Sequence, residues 1–249
     1  MNTLPAREKT GILSSEAHVW MISPESVRDP AILQYCRDTL SQDERDRVDR
    51  FFRPEDSHSY LISHAMVRSV LSRYADITPG DWKFSEGIHG RPEIDSDQQT
   101  SLRFNLTHTN GLAACIVTCD DPCGIDAEQV NARNNPIGVA ERMFSAKELE
   151  QLKQYEGDAF LEYFYERWTL REAYVKARGI GISFPTHQLC FDIMQDNVTV
   201  EFDSDIDDRE EDWNFRLIRP DSGHIVALAL HDCTGIKKQV RINHFSFTD

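Results

Sequence analysis

The stretch LRFNLTHTNGLAACIVTC, from Leu102 to Cys119, gives the clearest indication of the fold. Apolar and polar residues alternate on both sides of Asn110-Gly111, a dipeptide that favours the tight turn between two antiparallel strands. We therefore predict a β-hairpin over this stretch. The loop DDPCG follows it, and we place the boundary between two halves of the chain there.

Helical and strand patterns continue on both sides of the hairpin. Before it, we predict a strand at HVWMI and a helix from Pro54 to about Tyr74, where apolar residues recur at helical spacing. After it, we predict a strand at GIDAEQV, helices from near Ser145 and over about 158–178, and strands near 189–193, 198–202, 213–217 and 224–230. Because each half offers helix and antiparallel strands, the expected fold class is α+β.

The overall charge is strongly acidic, with 42 acidic and 27 basic residues and a net charge of −15. This charge disfavours nucleic acids and anionic membranes as partners, so an anionic ligand would need a local basic pocket. The N-terminus lacks the apolar core of a signal peptide, and no apolar run is long enough to cross a bilayer. We expect a cytoplasmic protein with six reduced cysteines. The acidic segment 202–212 is expected to be a solvated loop.

Asp126 and Glu128 are separated by one residue in a predicted strand, which puts both carboxylates on one face. Two like charges side by side repel, and a cation relieves that repulsion. Mg²⁺ takes oxygen ligands and commonly uses one or two carboxylates together with water and phosphate oxygens. The pair is therefore a candidate metal site. The alternative is a chance pair on an exposed strand face.

Glu172 and Lys176 continue the four-residue row of Phe164 and Trp168 on the predicted helix 158–178. Since steps of four drift by about 40°, Glu172 lies at the edge of the inward face. One explanation is a structural ion pair between Glu172 and Lys176. The other is a third oxygen ligand or general base, with a lysine beside it for anionic oxygens. Helical spacing leaves both open.

Several polar residues of the first half could bind an anion, although each signal is weak. Thr107 and His108 end the first hairpin strand. Arg91 offers a fork of donors suited to phosphate, beside a glycine that allows close backbone approach. Arg47 belongs to an arginine-rich stretch whose acidic neighbours would also explain it as a self-neutralising helix face.

Taken in order, five segments resemble the Sfp-type 4′-phosphopantetheinyl transferases. They are GRP (90–92), FNLTHTNG (104–111), GIDAEQV (124–130), FSAKELEQL (144–152) and ERWTLREAYVKARGIGISFP (166–185). The resemblance covers roughly residues 41–189. It implies a monomer with two similar, pseudo-twofold α+β halves, residues 1–121 and 122–249, and an active site between them.

The resemblance also implies an activity, which is transfer of the phosphopantetheine arm of coenzyme A to a serine of an apo acyl, polyketide or peptidyl carrier protein. The reaction would release 3′,5′-ADP and require Mg²⁺. Asp126, Glu128 and Glu172 would hold the ion, Lys176 would contact the phosphates, and Glu172 would also take the serine proton. The implied coenzyme A contacts are Arg47, Arg91, Thr107 and His108.

Two departures and two alternatives accompany this resemblance. Arg171 stands where many relatives carry Lys, and Glu44 and Pro54 stand where relatives often have basic residues. The grip on the 3′-phosphate would then rely on Arg47, Arg50 or Arg53, which the sequence does not rank. The alternative functions are a Mg²⁺-dependent phosphodiester hydrolase that uses water as nucleophile and a non-catalytic carrier-binding homologue.

Overall fold

The computed structural model describes residues 11–87, 90–131, 136–181, 183–195, 197–221, 223–233, 235 and 237–248. The chain divides into two compact units, one of Met1–Asp120 with Lys238–Asp249 and one of Asp121–Lys237. Residues 1–10, where we expect no signal peptide, lie outside the described residues.

The described residues of the first unit form three long α-helices and six strands. In chain order these are β1 (Glu16–Ile22), α1 (Pro30–Thr39), α2 (Gln42–Arg50), α3 (Pro54–Leu71), β2 (Phe84–Glu86), β3 (Pro92–Ile94), β4 (Leu102–Thr109), β5 (Leu112–Cys119) and β11 (Gln239–His244). The four long strands form a sheet in the order β11-β1-β5-β4, and β2 pairs with β3.

The predicted hairpin forms the centre of the first unit. Strands β4 and β5 pair antiparallel from Leu102↔Cys119 to Thr109↔Leu112, and Gly111 takes a positive φ of 84° in the turn. Helix α3 packs against both strands. Its buried residues join those of the sheet in one apolar core, so the alternation of the hairpin does bury one face. The hairpin prediction is confirmed.

The last strand corrects the expected course of the C-terminus. Strand β11 pairs parallel with β1 and completes the sheet of the first unit, whereas the expected halves put all of residues 122–249 in the second. Phe245 is buried in the core of the first unit, and the buried Lys238 donates to the backbone oxygens of Leu13 and Ser14. These contacts secure the C-terminal segment against the first strand.

The part of the second unit that the structure describes forms three α-helices and five strands. In chain order these are β6 (Cys123–Gln129), α4 (Pro136–Met143), α5 (Ala146–Leu152), α6 (Gly157–Arg178), β7 (Leu189–Met194), β8 (Asn197–Phe202), β9 (Trp213–Ile218) and β10 (His224–His231). The strands form one sheet in the order β6-β10-β9-β8-β7, with antiparallel neighbours. The α+β class is confirmed in both units.

Helix α6 is the longest helix of the second unit and lies on strands β6 and β10. It ends at Gly179, whose positive φ of 65° suits the left-handed residue that closes many helices. Ahead of it, Ser145 and Glu148 form the predicted capping box of α5. The acidic segment is not wholly solvated, because the Asp208 carboxylate accepts hydrogen bonds from Tyr174 and Arg178 of α6.

Within the described part of the chain, no helix has the length and apolarity needed to cross a membrane. Its six cysteines are all free thiols.

Candidate functional site

Strand β6 and helix α6 approach each other closely at Gly124. A Cβ added there would lie 2.0 Å from the Ala173 carbonyl oxygen and 2.6 Å from the Ala177 backbone nitrogen. No side chain fits into this space, so glycine lets the strand contact the helix backbone directly. The close approach brings the carboxylates of β6 next to the polar side chains of α6.

Asp126 forms an ion pair with Lys176 across this contact. The Lys176 Nζ atom donates to Asp126 Oδ1 at 2.6 Å and to the Ile125 backbone oxygen at 3.2 Å. The Asp126 side chain is only 8% exposed and that of Lys176 28% exposed. The structural alternative pairs Lys176 with Glu172, whereas the observed partner, Asp126, lies on the neighbouring strand.

Glu128 faces the same helix as Asp126, which agrees with the predicted alternation of β6. Its Oε1 atom accepts a hydrogen bond from the indole Nε1 of Trp168 at 3.0 Å. Burial raises the pKa of Glu128, the charge of Asp126 raises it further, and the indole hydrogen bond and Lys176 lower it. The described residues therefore hold this carboxylate by a single neutral donor.

Glu172 is the most strongly perturbed acid of the site. Burial and the charges of Asp126 and Glu128 raise its pKa to about 7, against the opposing effect of Lys176. None of the described residues donates a hydrogen bond to its carboxylate, and no such bond contributes to this pKa. The side chain is thus close to two other acids and poised to gain or lose a proton near neutral pH.

The donor chemistry of this cluster fits a hard divalent cation. The charge of Asp126 raises the pKa of both Glu128 and Glu172, Glu128 raises that of Glu172 as well, and a bound cation would remove this repulsion. Among the described residues, no three His, Cys, Asp or Glu side chains already have the arrangement of a metal site. The ammonium of Lys176 provides positive charge beside Asp126 Oδ1, so an ion bound to that oxygen would compete with the lysine.

Arg171 lies one residue before Glu172 but has a structural environment. Its guanidinium is completely buried and paired with the Glu148 carboxylate. It also donates to backbone oxygens of four residues, Met143, Arg167, Thr186 and Leu189. These contacts join α6 to α4, α5 and β7. They occupy the guanidinium N–H groups with which Arg171 would otherwise bind a phosphate.

Arg91, Thr107 and His108 lie on or against strand β4 in the first unit. Thr107 is buried and His108 exposed, as expected for successive residues of a strand. Arg91 Nη2 donates to the Phe104 backbone oxygen at 3.2 Å. The three residues therefore lie on strand β4 or in contact with it.

Arg47 lies on α2, and its guanidinium stands over the ring of Tyr60 on α3, 5.2 Å from the ring centroid. No described residue accepts a hydrogen bond from it, so its donors can bind an anion. In contrast, Arg45 donates to the Leu40 backbone oxygen and Arg50 to the Asp46 backbone oxygen. Among these three arginines, Arg47 has an exposed guanidinium whose position is fixed by the ring of Tyr60.

Glu44, at a place where relatives often carry a basic residue, is part of a buried charge cluster. Its carboxylate accepts hydrogen bonds from Arg68 Nη2 at 2.6 Å and His64 Nδ1 at 3.1 Å. Burial would raise the pKa of Glu44, but His64, Arg68 and the Ser41 backbone amide lower it to about 2. The residue serves the packing of α2 against α3.

The structure brings together Asp126, Glu128, Glu172 and Lys176 in the second unit, as the family resemblance implies. In the first unit it gathers Arg91, Thr107 and His108 at β4 and places Arg47 on α2. Sequence reasoning missed the direct partners of two of these residues, Trp168 and Tyr60. A glycine inside an apolar strand could have indicated the close contact at Gly124.

Comparisons with known proteins agree across both units. Residues 122–229 match the family model described as 4′-phosphopantetheinyl transferase superfamily, and residues 29–119 match the one described as 4′-phosphopantetheinyl transferase, N-terminal. The chain is 35% identical to 4′-phosphopantetheinyl transferase HetI of a Nostoc species, over 72% of this chain and 76% of that protein.

Two further comparisons concern Bacillus proteins. The chain is 32% identical to 4′-phosphopantetheinyl transferase Sfp of Bacillus subtilis, over 65% of this chain and 70% of that protein. A solved holo-(acyl-carrier-protein) synthase of Bacillus anthracis, in complex with CoA (3′,5′-ADP), aligns with a TM-score of 0.37 and 19% identity, over 45% of this chain and 95% of that chain.

Proposed function

The chain belongs to the 4′-phosphopantetheinyl transferase superfamily, and from this premise we propose that it transfers the phosphopantetheine arm of coenzyme A to a serine of an apo carrier protein. The products would be the holo carrier and 3′,5′-ADP. The resemblance seen in the five sequence segments is confirmed by these relatives. Like these relatives, the protein is an enzyme of the phosphopantetheinyl transferase class.

The observation that carries the proposal is the group of three carboxylates and one lysine where β6 meets α6. Burial and the two other carboxylates raise the pKa of Glu172 to about 7, so the acids lie close enough to influence one another. Lys176 already contacts one of them through its Nζ atom. An anionic diphosphate with a cation would relieve the repulsion and give the lysine a second anionic partner.

Asp126, Glu128 and Glu172 are the proposed ligands of Mg²⁺. A bound Mg²⁺ would neutralise diphosphate oxygens and so assist departure of 3′,5′-ADP. Lys176 donates to a phosphate oxygen in place of Asp126, which adds positive charge where the leaving group develops negative charge. Glu172 is also the proposed acceptor of the proton of the carrier serine, because none of the described residues donates a hydrogen bond to its carboxylate.

The first unit contributes the proposed contacts to the nucleotide end of coenzyme A. Among these contacts, the structural support is strongest for Arg47, since its guanidinium is fixed over Tyr60 and makes no hydrogen bond with described residues. Arg91 donates to β4, which also carries Thr107 and His108. Together these four side chains would supply the local basic and polar groups that an anionic ligand needs in an acidic protein, and their contribution can be measured as the KM for coenzyme A.

The decisive experiment mixes the protein with coenzyme A, Mg²⁺ and an apo carrier and follows the carrier by intact mass. We expect the gain of one phosphopantetheinyl group and the release of 3′,5′-ADP. Asp126→Ala and Glu172→Ala should abolish the gain, whereas Glu162→Ala, an exposed site on the same helix, should not. Fatty-acid, polyketide and peptide carriers should each be tried.

The outcomes separate the proposed function from its alternatives. If none of the three carrier types gains mass, transfer is wrong. Breakdown of coenzyme A without carrier labelling would instead favour a hydrolase. Binding of the carrier without either reaction would favour a non-catalytic homologue.

The proposal also includes a cytoplasmic monomer that acts without nucleic acid or membrane. The free thiols of the described chain and its net charge of −15 support this setting. Light scattering of the purified protein checks the monomer, and fractionation of the source cells checks the compartment.

A further inference from the structure

Trp168 is the residue through which α6 holds Glu128. We propose that Trp168 is a positioning residue of the candidate metal site, because its indole N–H fixes one carboxylate oxygen of Glu128 and leaves the other for the ion. This inference rests on the proposed function, in which Glu128 is a ligand. The tryptophan then orients the Glu128 carboxylate, in addition to packing its ring in the apolar cluster.

The indole is fixed on both sides. Its Nε1 atom donates to Glu128 Oε1 at 3.0 Å, and its ring lies nearly parallel to that of Phe164, at 9° with centroids 6.2 Å apart. It also packs against the apolar cluster that contains Phe144 and Phe164. A donor held in this way defines where one oxygen of the Glu128 carboxylate lies.

Glu128 needs such a partner more than Asp126, the other carboxylate of strand β6, does. Asp126 has a short side chain and a direct partner in Lys176, whereas Glu has an additional rotatable bond and a greater loss of entropy on ordering. The hydrogen bond to Trp168 orders the side chain when the protein folds. Less entropy is then lost when the ligand site is occupied.

A tryptophan in the first unit provides a matched control. Trp20 is also half-buried, and its Nε1 atom donates to the Tyr74 hydroxyl at 2.9 Å. Trp20→Phe and Trp168→Phe therefore remove the same donor and keep an aromatic ring. Only Trp168→Phe removes a donor to a proposed metal ligand.

The test is a titration of the protein with Mn²⁺ in the absence of coenzyme A. Electron paramagnetic resonance measures the Mn²⁺ that remains unbound. We expect Trp168→Phe to raise the Kd about tenfold, the size typical for loss of a partner of a metal ligand. Trp20→Phe should leave the Kd unchanged. Melting temperatures of all three proteins show whether each is folded, and Trp168→Leu, which likewise lacks the donor, replaces the phenylalanine variant if that one is not.

A second readout uses the indole itself. Binding of Mg²⁺ to Glu128 should alter the hydrogen bond to Trp168 and hence the tryptophan emission of the wild type and of Trp20→Phe, but not that of Trp168→Phe. An unchanged Mn²⁺ Kd in folded Trp168→Phe overturns the inference and leaves packing as the role of the ring. If the wild type binds no Mn²⁺, the metal assignment and this inference both fail, while the carrier assay still judges transfer by itself.

Discussion

Lys176 of α6 and Asp126 of β6 are joined by a hydrogen-bonded ion pair of 2.6 Å between Nζ and Oδ1. The ammonium thus stands where a metal ion would meet its first carboxylate. If Asp126 holds the proposed ion, Lys176 and the cation would compete for its carboxylate in the absence of coenzyme A. In the proposed reaction the diphosphate gives the lysine another partner, which allows both positive charges to act together.

Lys176→Met should therefore separate metal binding from coenzyme A use. Without coenzyme A, the variant should bind Mg²⁺ more tightly, because Asp126 no longer has a competing cation. The KM for coenzyme A should rise about tenfold or more, since hydrogen bonds to charged groups contribute about 1.5–3 kcal/mol. Calorimetric titration with Mg²⁺ and the carrier assay measure the two effects.

Lys147→Met is the control for this variant, because Lys147 makes a 4.0 Å ion pair with Glu201 at the surface. It should change neither quantity. A fall in melting temperature of Lys176→Met with unchanged coenzyme A affinity would return the lysine to a purely structural role.

Gly124→Ala should disrupt the contact that builds the site. The new methyl group would lie 2.0 Å from the Ala173 oxygen, so β6 and α6 must move apart. We expect a loss of about 1–3 kcal/mol in the free energy of unfolding, as overpacking usually causes, and a larger relative loss of kcat. Gly80→Ala, with no atom within 4 Å of the added Cβ, should behave as wild type. Full activity of Gly124→Ala would show that the approach is not needed.

The sequence predicts those parts of the fold that depend on short-range patterns. The hairpin turn at Asn110-Gly111 and the end of α6 at Gly179 are each determined by a few neighbouring residues, and both are found where predicted. Strand β11 was missed, because its parallel partner β1 lies more than 200 positions away in the chain. Helix α1 was missed as well, although Asp29 and Pro30 form a typical helix start.

The candidate site shows the same division. Alternation along β6 correctly puts Asp126 and Glu128 on one face, and helical spacing places Glu172 and Lys176 on the side of α6 that meets them. Spacing does not reveal which acid the lysine contacts, because that depends on the register between a strand and a helix. The ligand assignment came from the family resemblance.

Glu44→Gln should destabilise the protein in a pH-dependent way. The pKa of Glu44 is lowered to about 2, so the ionised carboxylate stabilises the fold at pH values above its ordinary pKa of 4.5. This stabilisation is lost as the pH falls from about 4.5 towards 2. At pH 7 we expect a loss of about 2–3 kcal/mol in the free energy of unfolding, shrinking in acid.

Chemical denaturation of wild type and Glu44→Gln at several pH values measures this difference. Asp49→Asn serves as control, since Asp49 meets Arg37 at the surface with 57% of its side chain exposed. The control should remain close to wild type throughout. An equal loss for Glu44→Gln at pH 7 and pH 3 would contradict the ionic explanation.

Glu172→Gln should have the opposite pH dependence in metal-free protein. Because the pKa of Glu172 is raised to about 7, ionising it in the folded state costs stability, and the cost grows as the pH rises from 4.5 through 7. The variant should therefore be more stable than wild type at pH 8, on the order of 1–3 kcal/mol, and similar to it below pH 4.5. Added Mg²⁺ should stabilise the wild type more than the variant.

Thermal unfolding of wild type and Glu172→Gln across this pH range, with and without Mg²⁺, measures the difference in stability. Glu162→Gln, with its side chain 56% exposed on the same helix, should gain nothing at high pH. If Glu172→Gln is less stable than wild type at pH 8 without metal, the carboxylate has a stabilising partner and the cluster does not repel.

Tyr60→Leu should weaken coenzyme A binding through Arg47. The ring of Tyr60 holds the guanidinium by a cation–π contact of 5.2 Å, a type of interaction that contributes about 0.5–1 kcal/mol at exposed sites. The KM for coenzyme A should rise about two- to fivefold, and Arg47→Ala should cost less in the Tyr60→Leu background than in wild type. The surface variant Tyr35→Leu should leave the KM unchanged, since Tyr35 packs on Phe247 and not on an arginine. Strictly additive effects of Tyr60→Leu and Arg47→Ala would mean that the ring does not position the guanidinium, and Arg50 or Arg53 would then become the better candidate for the 3′-phosphate.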